Sequence, residues 1–170
     1  YLAGSLVLFG VSATYHRFYW APRWETAWWR MDHSNIFLLI AGTYTPLTIA
    51  LLNRSDATIL LSVVWAGASA GILLSLFWPT APRWLSTLVY VALGWVAVWY
   101  LPQLWAGGGP AVVWLIVAGG LLYTVGALVY GLKKPDPSPT WFGFHEIFHA
   151  FTVAAWACHC VAVYLAVLGG

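Results

Sequence analysis

Three histidines are the residues of this sequence best suited to chemistry. His145 and His149 are four positions apart, so on a helix their imidazoles share one face and can bind a single metal ion. His16, from a distant part of the chain, can supply a third imidazole. Three protein ligands with one position left open for water are typical of catalytic zinc sites. The residues therefore predict a zinc site formed by His16, His145 and His149.

Two further polar residues can act on such a site. Asp32 begins an apolar segment at the same depth as the histidines, and its carboxylate can accept a hydrogen bond from a water at the open position or orient a ligand imidazole. Ser12 lies four positions before His16 and faces the same way on a helix. We predict Asp32 and Ser12 as the catalytic residues. The alternative is three unrelated interior histidines, each bonded to a nearby carbonyl group.

Residues 145–149 also match the H-E-x-x-H pattern, in which the glutamate of zinc proteases is the general base. An intramembrane protease is therefore a rival interpretation. In the competing interpretation, Glu146 only pairs with the lysines of the preceding loop, Lys133 and Lys134.

The two remaining histidines are predicted to lie outside the metal site. His159 is fourteen residues beyond His145, which corresponds to about 21 Å along a helix. It is therefore expected to be an interior, hydrogen-bonded histidine. His33 points roughly 100° away from Asp32 on a helix, which favours a packing or supporting role.

The elements that carry these residues must lie in a membrane. Of the 170 residues, 62% are hydrophobic and only 7% are charged, whereas a soluble domain has about 25% charged residues. The net charge of +2 is too small to indicate a nucleic-acid partner. Apolar segments divided by short polar breaks run over about 1–16, 33–52, 57–78, 84–101, 111–132 and 142–168.

Each full-length segment can cross about 30 Å of hydrocarbon as a helix, and the alternation typical of membrane barrels is absent. The sequence predicts an all-α integral membrane protein with one transmembrane helical domain over 1–170. The first segment is shorter than the roughly 20 residues that a span needs, so we expect further residues before it, including another helix.

The basic residues predict the orientation of the chain. Six of the seven fall in alternate breaks on one side, and only Arg54 falls on the other. By the positive-inside rule the first side is cytoplasmic, so the metal site lies near the cytoplasmic face and the C-terminus lies outside. The stretch 20–30 mixes tryptophan with arginine and is expected to lie along the inner interface.

Four blocks of the sequence together resemble the hemolysin III family, which is grouped with the progestin and adiponectin receptors and, more distantly, with the alkaline ceramidases. They follow the order of the family and span essentially the whole chain. The blocks are Ser12-Ala-Thr-Tyr-His16, Asp32-His-Ser-Asn-Ile36, Ala41-Gly-Thr-Tyr-Thr-Pro46 and His145-Glu-Ile-Phe-His149.

This resemblance implies a seven-helix bundle in the plasma membrane of a bacterium, of which six helices are visible here. It implies zinc bound by His16, His145 and His149, with Asp32 and Ser12 contacting the water on the metal. Some relatives hydrolyse ceramide-like lipid amides, others are receptors, and the bacterial branch is associated with haemolysis, pores or membrane homeostasis. Relatives need not have glutamate at position 146, which weakens the protease hypothesis.

Three functional hypotheses follow. The first is a zinc-dependent hydrolase of a lipid amide or ester, in which Asp32 takes the proton of water. The second is a non-enzymatic sensor, receptor-like protein or pore in which zinc only joins helices. The third is the intramembrane protease. In the first two, membrane lipids are the expected partners, as substrate or ligand, and the oligomeric state is left open.

Overall fold

The computed structural model describes residues 1–78 and 80–169, without the side chain of Arg83. The described part excludes Pro79, Gly170 and the side chain of Arg83. Arg83 is one of the basic residues on which the topology prediction depends, and its side chain therefore lies outside the described residues. The described chain is helical nearly throughout. Its elements are α1 (Leu2–Arg17), α2 (Pro22–Leu51), α3 (Arg54–Phe77), α4 (Arg83–Gly94), a 3-10 helix (Trp95–Tyr100), α5 (Leu101–Leu132) and α6 (Phe144–Leu168).

Helix α2 begins at Pro22, well before the apolar segment predicted at 33–52. The residues before that segment make up about one third of the helix. Pro22 stands in its first turn, where a missing N–H costs nothing, and Glu25 in that turn complements the helix dipole. Residues 22–30 of the tryptophan- and arginine-rich stretch therefore form the first part of α2, and its location at the inner interface stays a prediction. Asp32 and His33 consequently lie well inside a continuous helix, which fixes their directions relative to each other.

The predicted break at 102–110 is also mostly helical. The backbone departs from helical geometry at Gly109, where φ is 71° and ψ is −179°, and Pro110 follows. A positive φ of this kind is accessible to glycine without steric cost.

After this kink, α5 runs back beside α4. Trp95 Nε1 donates to Thr124 Oγ1 at 2.9 Å, and a Cβ on Gly131 would lie 3.6 Å from Thr87 Oγ1. Later residues of α5 thus face earlier residues of the segment formed by α4 and the 3-10 helix, which is an antiparallel arrangement.

Small residues allow the helices to approach closely. A side chain at Gly71 of α3 would collide with the ring of Phe37, and one at Gly67 would lie 2.8 Å from Leu93 Cδ1. Phe37, Val64 and Ala68 are completely buried in the cluster that joins α2, α3 and α4. Small residues at these positions thus let the helix backbones approach closely, as is common in membrane helix bundles.

The prediction of an all-α membrane protein is confirmed at the level of its class. Four stretches of the described residues are long and apolar enough to cross a membrane: Pro22–Leu51, Arg54–Phe77, Trp84–Leu132 and Phe144–Leu168. The third stretch combines α4, the 3-10 helix and α5. The six-span and seven-helix parts of the prediction remain predictions.

Candidate metal centre

The three predicted histidines meet at one end of the helices. His16 lies in the last turn of α1, whereas His145 and His149 lie one turn apart at the start of α6. The Nε2 atoms of His145 and His149 are 3.1 Å apart, and those of His145 and His16 are 3.5 Å apart. All three histidines can place a ligand atom within 4.8 Å of the others.

These separations match a tetrahedral metal ion. With a zinc–nitrogen bond of about 2.1 Å, tetrahedral geometry requires ligand nitrogens about 3.4 Å apart. The distances of 3.1 Å and 3.5 Å lie on either side of that value. Three imidazoles this close together can each direct a ring nitrogen toward one ion, and imidazole nitrogen is a common zinc ligand. The donor set therefore fits the predicted metal.

Asp32 lies beside this cluster on α2. Its Oδ2 is 3.9 Å from His16 Nε2, which is longer than a direct hydrogen bond. The Asp32 side chain is 14% exposed, whereas that of His16 is 40% exposed, so the carboxylate faces inward and the imidazole lies at the rim. At this separation a water can lie to the side of the carboxylate and the ligand nitrogen and contact both.

A cavity of about 150 Å³ opens from the metal centre into the helices. Ser12, Asp32, His145 and His149 line its polar end. Its remaining wall is largely aliphatic and aromatic, with contributions from α1, α2, α4, α5 and α6. The structure thus brings Ser12 and Asp32 to the same cavity wall as two of the predicted ligands.

His33 supports the site from the side of the cavity, as the direction of its side chain predicts. Its Nδ1 donates to the carbonyl oxygen of Trp29 at 2.9 Å, because a carbonyl can only accept. Its Nε2 is 3.3 Å from the hydroxyl of Tyr130 on α5. The Tyr130 ring lies 6.0 Å from the His145 ring and 5.0 Å from that of Phe148.

Sequence reasoning did not find Tyr130. The residue ends an apolar segment, where a tyrosine is typical of the membrane interface, and no spacing relates it to the histidines. Only the packing of α5 against α2 and α6 brings it to the site.

Glu146 has a different role from either predicted one. Its Oε2 accepts a hydrogen bond from the backbone N–H of Gly143 at 2.9 Å, which caps the start of α6. Among the described residues, Glu146 neither lines the cavity nor forms an ion pair with Lys133 or Lys134. The prediction of a lysine partner is therefore wrong, and the geometry disfavours Glu146 as the general base of a protease.

His159 is an interior, hydrogen-bonded histidine, as predicted. Its Nε2 donates to the carbonyl oxygen of Ile116 on α5 at 3.1 Å. The ring occupies the space beside Gly119, where any side chain would collide with it. It lies on the cavity wall far from the metal centre, since ten residues of α6 separate it from His149, which is about 15 Å.

The chain matches the family model described as haemolysin-III related over residues 1–160. The protein belongs to the haemolysin-III-related family. It is similar to Hemolysin-3 homolog of Bacillus subtilis (strain 168), with 36% identity over 136 residues, covering 79% of this chain and 61% of that relative. It is also similar to Hemolysin-3 of Bacillus cereus, with 33% identity over 146 residues, covering 85% of this chain and 64% of that relative.

The chain spans less than two thirds of the length of these curated relatives. No solved structure matches it. The family resemblance carried by the four sequence blocks is thus confirmed, and the three histidines of this haemolysin-III-related chain lie inside the matched region.

Proposed function

We propose that this haemolysin-III-related protein is a zinc-dependent hydrolase of a lipid amide or ester. The observation that carries the proposal is the position of the metal centre at the polar end of an apolar cavity. Three histidine nitrogens, with two of their separations close to tetrahedral spacing, would leave one position of a zinc ion for water, and the Asp32 carboxylate lies beside His16. An apolar cavity that ends in such a site suits a substrate with a hydrocarbon chain and a hydrolysable group at its head.

The residues divide the chemistry among them. Zinc, when bound, would lower the pKa of a water and polarise the substrate carbonyl. Asp32 would hold that water by a hydrogen bond to Oδ2 and take its proton as the attack proceeds. Ser12, on the same wall, would orient the head of the lipid through its hydroxyl. The apolar wall would exclude bulk water and align the chain, so that the carbonyl meets the open position.

The test is hydrolysis of a panel of lipid amides and esters by protein purified with its native metal. We expect release of fatty acid that stops when zinc is removed by a chelator and resumes when zinc is restored. A preparation that holds one zinc per chain yet hydrolyses none of the panel would overturn the proposal.

The names of the two relatives favour a second candidate, a haemolytic protein in which zinc only joins α1 to α6. A pore through one subunit would need polar groups along its length. The polar atoms near the middle of this cavity are instead bonded to backbone, as for Thr43 to Leu39 and His159 to Ile116. Conductance across planar bilayers that depends on the protein would favour this second candidate.

The same proposal includes six crossings in a bacterial plasma membrane, within a seven-helix bundle whose metal centre lies near the cytoplasm and whose C-terminus is outside. We expect an impermeant thiol reagent applied from outside to modify Gln103→Cys and to spare Lys134→Cys. The variants are made in a chain with Cys158→Ala and Cys160→Ala, because both native cysteines are free. Gln103 is chosen because it is exposed, whereas a side chain at Gly107 would meet the Leu51 carbonyl.

Labelling of Lys134→Cys alone would reverse the proposed orientation. Labelling of both positions only after the membrane is permeabilised would place both ends of α5 on the inside and remove one crossing.

A further inference from the structure

The cavity that begins at the metal centre is followed by a second one. This outer cavity has about 50 Å³ and lies toward the far end of the helices, where Leu47, Leu60, Leu104 and Ile116 are among its walls. We call the first the inner compartment and the second the outer compartment. Both are lined by the same residues at their junction: Thr43, Tyr44, Gly94, Gly120 and His159. The compartments are therefore consecutive along one path.

The junction presents apolar surface to this path because the polar groups of its residues are bonded to the backbone. Thr43 Oγ1 donates to the Leu39 carbonyl at 2.8 Å. The Tyr44 hydroxyl donates to the Gly94 carbonyl at 2.7 Å and accepts from the N–H of Ala97 at 2.9 Å. With His159 bonded to Ile116, the junction suits methylene groups better than an ion or a polar head.

Two glycines leave the junction open. A Cβ placed on either Gly94 or Gly120 meets no atom within 4 Å, so the space beside each glycine is empty. Both residues line both compartments and therefore border the passage at the junction, with Gly120 half-buried and Gly94 more exposed. A Cβ fits at either position, so a larger side chain there has room to begin and can extend into the passage.

We infer that Gly94 and Gly120 determine how long an acyl chain the protein accepts, by connecting the inner compartment to the outer one. The inference rests on the proposed function and names its substrate class as lipids with a long acyl chain. The head of the lipid lies at the metal centre, and the chain runs about 15 Å to the junction, the interval from His149 to His159 on α6. Only a chain longer than the inner compartment gains from the outer one.

The test uses Gly120→Leu, which fills the passage, and three fatty acids as probes: octanoate, laurate and palmitate. Binding to the zinc-loaded protein is measured by the rise in melting temperature with ligand concentration. Each variant is compared with the parent for the same fatty acid, so partitioning of that acid into detergent cancels. Gly42→Leu is the matched control, because Gly42 is also helical with open space at its Cβ and lines neither compartment.

Gly120→Leu is expected to weaken palmitate binding on the order of tenfold, since each buried methylene contributes about fourfold in affinity and two or more would be displaced. Octanoate and laurate should bind within about twofold of the parent. Gly94→Leu, on a different helix, should give the same pattern, and Gly120→Ala an intermediate one. Gly42→Leu should leave all three affinities unchanged, and zinc content should remain at the parental value throughout.

Equal weakening for all three fatty acids, or no weakening for palmitate, would overturn the inference. So would failure of the parent to bind any of the probes. The outcome is separable from the proposed function, because binding needs no turnover. A chain-length change in Gly120→Leu without zinc-dependent hydrolysis in the parent would support the two compartments and reject the hydrolase.

Discussion

Replacing either His145 or His149 by alanine is expected to abolish zinc retention during purification. In the proposed site each imidazole supplies one of three ligand nitrogens, and among the described residues the two that remain, even together with Asp32, give fewer than four ligands. Loss of a residue that only supports a zinc ligand costs about 10–100-fold in affinity, so loss of a ligand should cost more. The measurement is elemental analysis of protein purified without added metal.

The same variants should melt at a lower temperature than the zinc-loaded parent, because a ligand that binds only the folded state stabilises it. They should also lose the rise in melting temperature that added zinc gives to the parent after chelation. His16→Ala is expected to behave alike, although its imidazole comes from α1 and lies at the rim of the site.

His159→Ala is the control for these losses. This histidine is on the same helix but about 15 Å beyond His149, far outside a zinc–nitrogen bond of about 2.1 Å. We expect normal zinc content together with some loss of stability, because the Ile116 carbonyl loses its partner and a void remains beside Gly119. Zinc loss in the His159 variant, with retention in the others, would show that the site has been assigned to the wrong residues.

The histidine cluster could be predicted because both of its determinants are local. The spacing of His145 and His149 fixes their common face on a helix, and the ends of apolar segments fix the depth of His16 and Asp32. The distances of 3.1 Å and 3.5 Å between the ligand nitrogens agree with that reasoning. Neither determinant needs knowledge of which helices are neighbours.

Tyr130 and the two compartments could not be predicted for the opposite reason. The contact between Tyr130 and His33 joins residues 97 positions apart, and nothing in the pattern of either helix specifies it. The cavity is a property of space that side chains leave unfilled, and it depends on the crossing of several helices at once. Hydropathy indicates which side chains face away from water, but it does not show where those side chains leave unfilled space between them.

The differences at helix boundaries have a similar cause. Hydropathy detects the apolar part of a helix, so it missed the first third of α2, where tryptophans alternate with charged residues. It also treated the glycine- and proline-rich residues near Gly109 as a loop, whereas the chain needs only one non-helical residue to bend there.

Glu146 illustrates a motif whose letters match without its geometry. In a zinc protease the carboxylate of H-E-x-x-H faces the metal, whereas here it turns back to the N–H of Gly143. The position is the third residue of α6, where a glutamate is favoured as part of a capping box. Helix capping explains this glutamate without any catalytic role.

Asp32→Asn is expected to separate a catalytic from a structural metal site. A structural zinc site is closed by four protein ligands, whereas a catalytic one keeps a position for water. The described residues offer three histidines within reach of one another, and the Asp32 carboxylate lies 3.9 Å from His16 Nε2. This carboxylate therefore either completes the shell or holds the water, and the two roles respond differently to an amide of the same shape.

If Asp32 holds the water, as the separation of 3.9 Å from His16 favours, the asparagine variant should bind zinc within about tenfold of the parent. It should lose lipid hydrolysis by about 10²–10⁴-fold, because an amide cannot take a proton at neutral pH. Glu146→Gln is the matched control, since it makes the same change of carboxylate to amide on an exposed residue that caps α6. It should keep both zinc and hydrolysis.

If Asp32 is instead a direct ligand, the asparagine variant should lose zinc and melt at a lower temperature, as the histidine variants do. Zinc stoichiometry and melting temperature distinguish these outcomes even before a substrate is identified. Loss of both quantities in Asp32→Asn, with Glu146→Gln unchanged, would indicate a metal that joins α1, α2 and α6 and would reject the hydrolase. Retention of both, with hydrolysis lost, would assign the proton transfer to this carboxylate.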